Sequence, residues 1–458
     1  LAANLKKLSI ILGFLVVIVS FIIHMPLEMQ ELLFGKTVFE NVVYSDILGV
    51  YRGVFMNKDV CENVLMNKTV EIYPWLRIDS FKSFCINKSF LPILYIDYYL
   101  KTPPLSSFLF WLITIVEYAI GYFIGLSIHN VFSTINGLSI FYITYSLLMS
   151  LFYFLTIRVY RKILVLINYR GIFAFFSFMF LSFIVYLIYS WEIVFLYVVL
   201  LSIKRMLEQK FDILTYLLLG LSASINYIGW IIVVYLLYAF LTSRKPDMNI
   251  VKGLAIGLLP YLIVLIVNPI YLSETFNYFV SSSYCNNCIY LLTTIDPWSQ
   301  YMRAIAFIVV VSVLTIIFPF LDIRLRPVEV VSILLVISIT LSLEFPPQSF
   351  ILIAPLLSIY LYHRKEKFSI IIADLLNALI IILWFKDLEL RKLFGFLDLP
   401  IKYSPQTLDS PVQLIAQTRN MILIIIFIII IHRLMKNNFN KDLEIENIYE
   451  KHLSAGVA

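Results

Sequence analysis

Charge is what this sequence has least of. Of its 458 residues only 14% are Asp, Glu, Lys or Arg, against about 25% in an ordinary soluble domain. Mean hydropathy is +0.91 and 61% of the residues are hydrophobic. A water-facing surface cannot be built from so few polar side chains, which excludes a soluble globular enzyme. Glycine is sparse, with 14 residues in all, and no glycine-rich phosphate loop occurs. The five histidines are scattered without a His-x-x-x-His pair, and the four cysteines form no metal-ligand cluster. No small-x-small cleavage site follows the first apolar run, where His24-Met25-Pro26-Leu27-Glu28 stands instead. That run therefore reads as a retained helix rather than a signal peptide.

What the chain does have is apolar runs. Leu8–Leu27, Leu105–Ile128, Phe141–Ile157, Ile225–Leu241, Leu254–Val267, Ala304–Phe320, Val328–Leu343 and Met421–Ile431 are the clearest. Most approach the roughly 20 residues that cross a bilayer as a helix. They lack the period-two alternation of barrel strands, which leaves an all-α polytopic membrane protein. About 11 to 13 transmembrane helices are expected from the runs and their spacing. The count is ambiguous around Arg158–Arg170. This stretch is inside when crossings are counted from the carboxyl end and outside when counted from the amino end. Either Gly171–Ile203 is one broken crossing, or a run between 105 and 157 does not fully cross.

Basic residues collect in short loops: Lys6-Lys7, Lys204-Arg205, Arg244-Lys245, Arg324 with Arg326, Arg364-Lys365, and Arg433 onward. The positive-inside rule makes these cytoplasmic and gives the net charge of +6 no nucleic-acid meaning. Residues 28–104 are then a first extracytoplasmic loop, with further outer segments at 269–302 and 386–420. The transmembrane domain ends near 435, and a charged cytoplasmic tail follows over 436–458. The placement agrees with two glycosylation sequons in the first loop, at Asn67 and Asn87. All four cysteines also fall outside. Of the three possible pairings, Cys61–Cys85 and Cys285–Cys288 is favoured over the others, and over four free thiols. Cys285-Asn286-Asn287-Cys288 lacks the βαβ surroundings of a redox motif.

Tyr44-Ser45-Asp46-Ile47 stands at the start of the first loop, and Thr102-Pro103-Pro104-Leu105 at its end. Taken alone, Asp46 is a solvated loop charge and the prolines a helix-start signal. Together, with Tyr51 and Gly53 after the aspartate, they resemble the multispanning GT-C glycosyltransferases, in particular the branch that uses polyprenyl-phosphate sugars such as mannose. Trp191-Glu192, Gly220-Leu221-Ser222-Ala223 and Pro346-Pro347-Gln348 are similar to later elements of that family, in the same order. The likeness runs from about residue 8 to residue 435, through short motifs. Three positions depart from it: Thr102 stands for an aromatic, Pro346 for a serine, and Asn226 for a lysine.

The resemblance implies an inverting glycosyltransferase on the extracytoplasmic face of the membrane. It would move a hexose from a polyprenyl-phosphate donor to a hydroxyl of a glycan, lipid or protein. No cofactor is implied beyond the lipid-phosphate-linked sugar as co-substrate. Asp46 would be the general base. Tyr44 belongs to the same element. Arg52, Lys101 and Arg303 lie near the outer face, where each is either a partner for the lipid phosphate or an interfacial snorkelling charge. Glu192 is either a functional intramembrane acid or a helix-start residue, and Gln348 either binds sugar or begins a helix. The competing classes are a transporter or lipid-linked-glycan flippase, and a non-catalytic subunit derived from such an enzyme. A transporter would carry charges or breaks near mid-membrane and pseudo-symmetric halves, whereas these helices are nearly charge-free, Glu117 excepted. The isoleucine-rich helices and sparse glycine lean toward a thermophilic prokaryote.

Overall fold

The computed structural model describes residues 2–37, 45–56, 92–125, 135–169, 173–281, 285, 287–294, 296–299, 301–361, 367–393 and 405–455. The described elements are helical throughout, apart from an isolated bridge between Leu94 and Tyr98. Among the described residues four helices are long and apolar enough to cross a membrane, or up to six if each of two bent pairs is one span. Five shorter apolar helices accompany them, including Ile213–Ile225, Pro327–Thr340 and Phe368–Trp384. Large apolar side chains stand exposed on several of these helices, among them Ile11, Phe14, Leu147, Phe307 and Ile425. Such a surface suits lipid and not water.

The first helix, Ala2–Ile23, turns by 104° into Leu27–Phe34, with Pro26 in extended conformation at the corner. The first helix runs antiparallel to Ile135–Leu166. Phe14 packs on Phe154, Phe21 packs on Tyr142, and the Tyr142 hydroxyl donates to the Phe21 carbonyl at 2.5 Å. Arg158 and the residues after it therefore lie at the end where the first helix begins. Phe152 meets Tyr197 and Tyr145 meets Trp191, so Glu192–Leu207 runs parallel to the long helix and ends on that same side.

Pro104–Phe123 packs both on the long helix, where Phe110 meets Phe141, and on the segments before it. Its Phe110 stacks on Phe55, its Trp111 donates to the Pro92 carbonyl, and its Glu117 accepts from Tyr51.

Basic loops gather at the opposite end. Arg205 pairs with Asp212, Lys204 with Glu208, and Arg324 with Asp247, while the Arg324 guanidinium lies over Phe211. The Gly220 helix packs on Met248–Gly257 with backbones nearly touching: a Cβ on Gly253 or Gly257 would lie 2.6 or 2.5 Å from a backbone carbonyl. Small residues are what permit such close approach between apolar helices.

The carboxyl-terminal helix spans Pro411–Ala455 and starts well before the apolar run at Met421. Gln413, Gln417, Arg419 and Asn420 are buried in its first turns because other elements supply their hydrogen-bond partners. Ahead of it, Arg391 ties Asp387, Thr407 and Asp409 together within the segment 386–420.

Candidate active site

Asp46 opens the short helix Asp46–Tyr51, which passes into a π-helical turn at Arg52–Met56. Ser45 does not cap this helix with its side chain. Its hydroxyl donates instead to the Tyr189 carbonyl at 3.1 Å, tying the segment to the loop before Trp191. Ile47 and Leu48 are buried in the core, while Asp46 is part-exposed at a cavity. A carboxylate in a first helical turn is favoured by the unpaired N–H groups there.

The opposite wall comes from Pro346-Pro347-Gln348. Pro346 is extended and Pro347 starts a 3₁₀ turn, Pro347–Ser349, that continues as Phe350–Leu361. Proline suits a first helical position because it has no N–H to satisfy there. The entry so fixed brings Gln348 Nε2 to 2.9 Å from Asp46 Oδ2, where it donates. The cavity between them has a volume of about 330 Å³ and is also lined by Tyr189, Asn287, Ile380, Ile381, Trp384 and Phe385.

Glu192 is the first residue of its helix and is buried next to this site. It accepts from the Ser190 hydroxyl, and Asp46 is near enough to act on its charge. Tyr145 donates to the Ser190 carbonyl at 2.9 Å, meets Trp191 edge-to-face, and feels both carboxylates. Glu192 thus starts a helix, as one of its two readings has it, and its charge is also within reach of Asp46.

A buried polar wall supports the cavity from behind. Arg419 is fully buried. It donates to Asn377 Oδ1 at 2.6 Å, to Asn420 Oδ1 and to the Phe345 carbonyl, and its guanidinium lies 3.6 Å from the Phe345 ring centroid. Asn377 donates in turn to Ser182 and to the Pro347 carbonyl, beside Gln348. Cys285 and Cys288 form a disulfide with Cα atoms 5.4 Å apart. The loop it closes carries Asn287 to the cavity.

The other residues singled out from the sequence lie apart from this group. Arg52 pairs with Glu28 at 2.8 Å. The Lys101 carbonyl accepts from Tyr227, and the Thr102 carbonyl accepts from Tyr271 at 2.7 Å, so the end of the first loop docks on a different wall. Asn226 caps the turn Tyr227–Gly229 by accepting from the Ile228 N–H, and the Gly220 element is a packing seam. Arg303 lies beside Met302, which packs against the disulfide loop; its Nε and Nη2 are buried without a hydrogen-bond partner among the described residues. Tyr44, Cys61, Cys85, Asn67 and Asn87 fall outside the described residues. Among the described residues no group of three or more His, Cys, Asp or Glu side chains is arranged to hold a metal ion.

Asn287, Asn377 and Arg419 are absent from the sequence reading. A signal for the polar wall is present in Gln413, Gln417 and Asn420, which recur at helical spacing just ahead of the last apolar run. No family model, curated protein or solved structure matches this chain.

Proposed function

We propose that this protein is a membrane glycosyltransferase of the GT-C type, transferring a hexose from a polyprenyl-phosphate donor to an acceptor hydroxyl on the extracytoplasmic face. The observation that carries the reading is the meeting of Asp46, Trp191-Glu192 and Pro346-Pro347-Gln348. Asp46 and Pro346-Pro347-Gln348 line one cavity, and Glu192 lies close enough for the Asp46 charge to act on it.

In the proposed reaction the acceptor oxygen attacks the anomeric carbon and the bond from that carbon to the phosphate oxygen breaks. Asp46 takes the hydroxyl proton and the polyprenyl phosphate leaves with the bonding electrons. A single displacement inverts the anomeric carbon. Gln348 holds one carboxylate oxygen of Asp46, orienting the base. The apolar side of the cavity, formed by Ile380, Ile381, Trp384 and Phe385, suits a donor whose remainder is lipid.

The test is transfer of radiolabelled sugar by membranes that contain the protein, supplied with polyprenyl-phosphate hexoses. Label appearing in an inverted glycosidic product supports the proposal. Absence of transfer from every such donor, with a solute flux across the same membranes, would establish the transporter class instead.

A further inference from the structure

Asn287 is buried, with 1% of its surface exposed, yet it lines the cavity that holds Asp46. Its backbone is left-handed, with φ +56°, a conformation that asparagine, aspartate and glycine tolerate far better than other residues. Four features hold it there. The Cys285–Cys288 disulfide closes the loop. Asn420 Nδ2 donates to the Asn287 carbonyl at 2.8 Å, and Gln417 Nε2 donates to the Cys288 carbonyl at 2.9 Å. Gln413 Nε2 donates to Asn287 Oδ1 at 2.8 Å, which leaves the amide nitrogen as the end turned away from Gln413. That Nδ2 donates no hydrogen bond among the described residues. The loop is therefore a staple that fixes one neutral N–H donor at the cavity wall.

Resting on the glycosyltransferase reading, we infer that Asn287 is a specificity-determining residue whose Nδ2 donates to a ring hydroxyl of the transferred sugar. A neutral amide is matched to a hydroxyl oxygen. A phosphate is better held by charged donors. Because the staple fixes the amide before substrate arrives, little ordering is required at binding, and a sugar lacking the matching hydroxyl leaves a donor unpaired. The disulfide here positions a residue and does not react.

Asn287→Asp is the discriminating variant. It keeps the left-handed backbone and the acceptor for Gln413 but replaces the N–H donor with an oxygen. Transfer by wild type and Asn287→Asp is measured with the intact polyprenyl-phosphate hexose and with analogues each lacking one ring hydroxyl. For one analogue the wild type is expected to lose about ten-fold in kcat/KM, the weight of one neutral hydrogen bond. The variant is expected to lose at least as much with the intact donor and nothing further with that analogue. A melting temperature like that of the wild type excludes misfolding; if the variant does not fold, Asn287→Gly serves in the same design. Equal transfer by wild type and variant, or additive losses with every analogue, overturns the assignment while leaving the transferase intact. No transfer by the wild type from any donor overturns both.

Discussion

Gln348 Nε2 lies 2.9 Å from Asp46 Oδ2 and donates to it, although the two residues are 302 positions apart in the chain. The contact joins the short helix Asp46–Tyr51 to the late proline-started turn Pro347–Ser349. Removing the amide should leave the carboxylate in place but less firmly oriented. Gln348→Ala is expected to lower kcat by about ten-fold, on the scale of one hydrogen bond to a charged group, with a smaller change in KM. Steady-state kinetics on membranes carrying the variant measure this directly.

Arg419 anchors the wall behind the cavity. The guanidinium is buried among neutral acceptors, on Asn377, Asn420 and Phe345, with the Phe345 ring beneath it. Lysine cannot reproduce the planar fork that reaches them together. Arg419→Lys is expected to cost on the order of 2–4 kcal/mol through acceptors left unsatisfied. A lower melting temperature in detergent is the expected result. Because Asn377 also donates to the Pro347 carbonyl, transfer activity should fall with it.

The segment before the last helix should respond to acid. Burial raises the Asp409 carboxyl, but the hydrogen bonds from Arg391 and Thr407 and the charge of Arg391 outweigh it and hold the group below the usual carboxylate range. A lowered folded-state pKa means that the stabilisation is fully present above the ordinary value of about 4 and is lost as pH falls through the folded-state value. Proteolysis between residues 405 and 411 is expected to be slow at neutral pH and to accelerate only in strong acid. In Arg391→Ala it should be fast at neutral pH as well.

Much of the fold and part of the site were legible in the sequence, for identifiable reasons. Apolar runs are dictated by lipid, so the helical class followed from composition. Asp46, Glu192 and Gln348 were found because each stands in a short local motif beside proline or an aromatic residue. Pro104–Phe123 is long and apolar enough to cross, as its sequence predicts, but its partners Tyr51, Phe55 and Pro92 are not specified by apolarity. Asn287 was passed over because its role depends on three amides of a distant helix. Arg52 is committed to Glu28, a pairing between two polar residues of one loop that spacing does not specify.

The central claim is that the Asp46 carboxylate is the base that activates the acceptor hydroxyl. Asp46→Asn keeps the size of the side chain and an oxygen for Gln348 but removes the proton acceptor. Transfer from a polyprenyl-phosphate hexose is expected to fall by a factor of about 10²–10⁴, with KM for the donor and the melting temperature little changed. Transfer by Asp46→Asn at the wild-type rate would contradict the account.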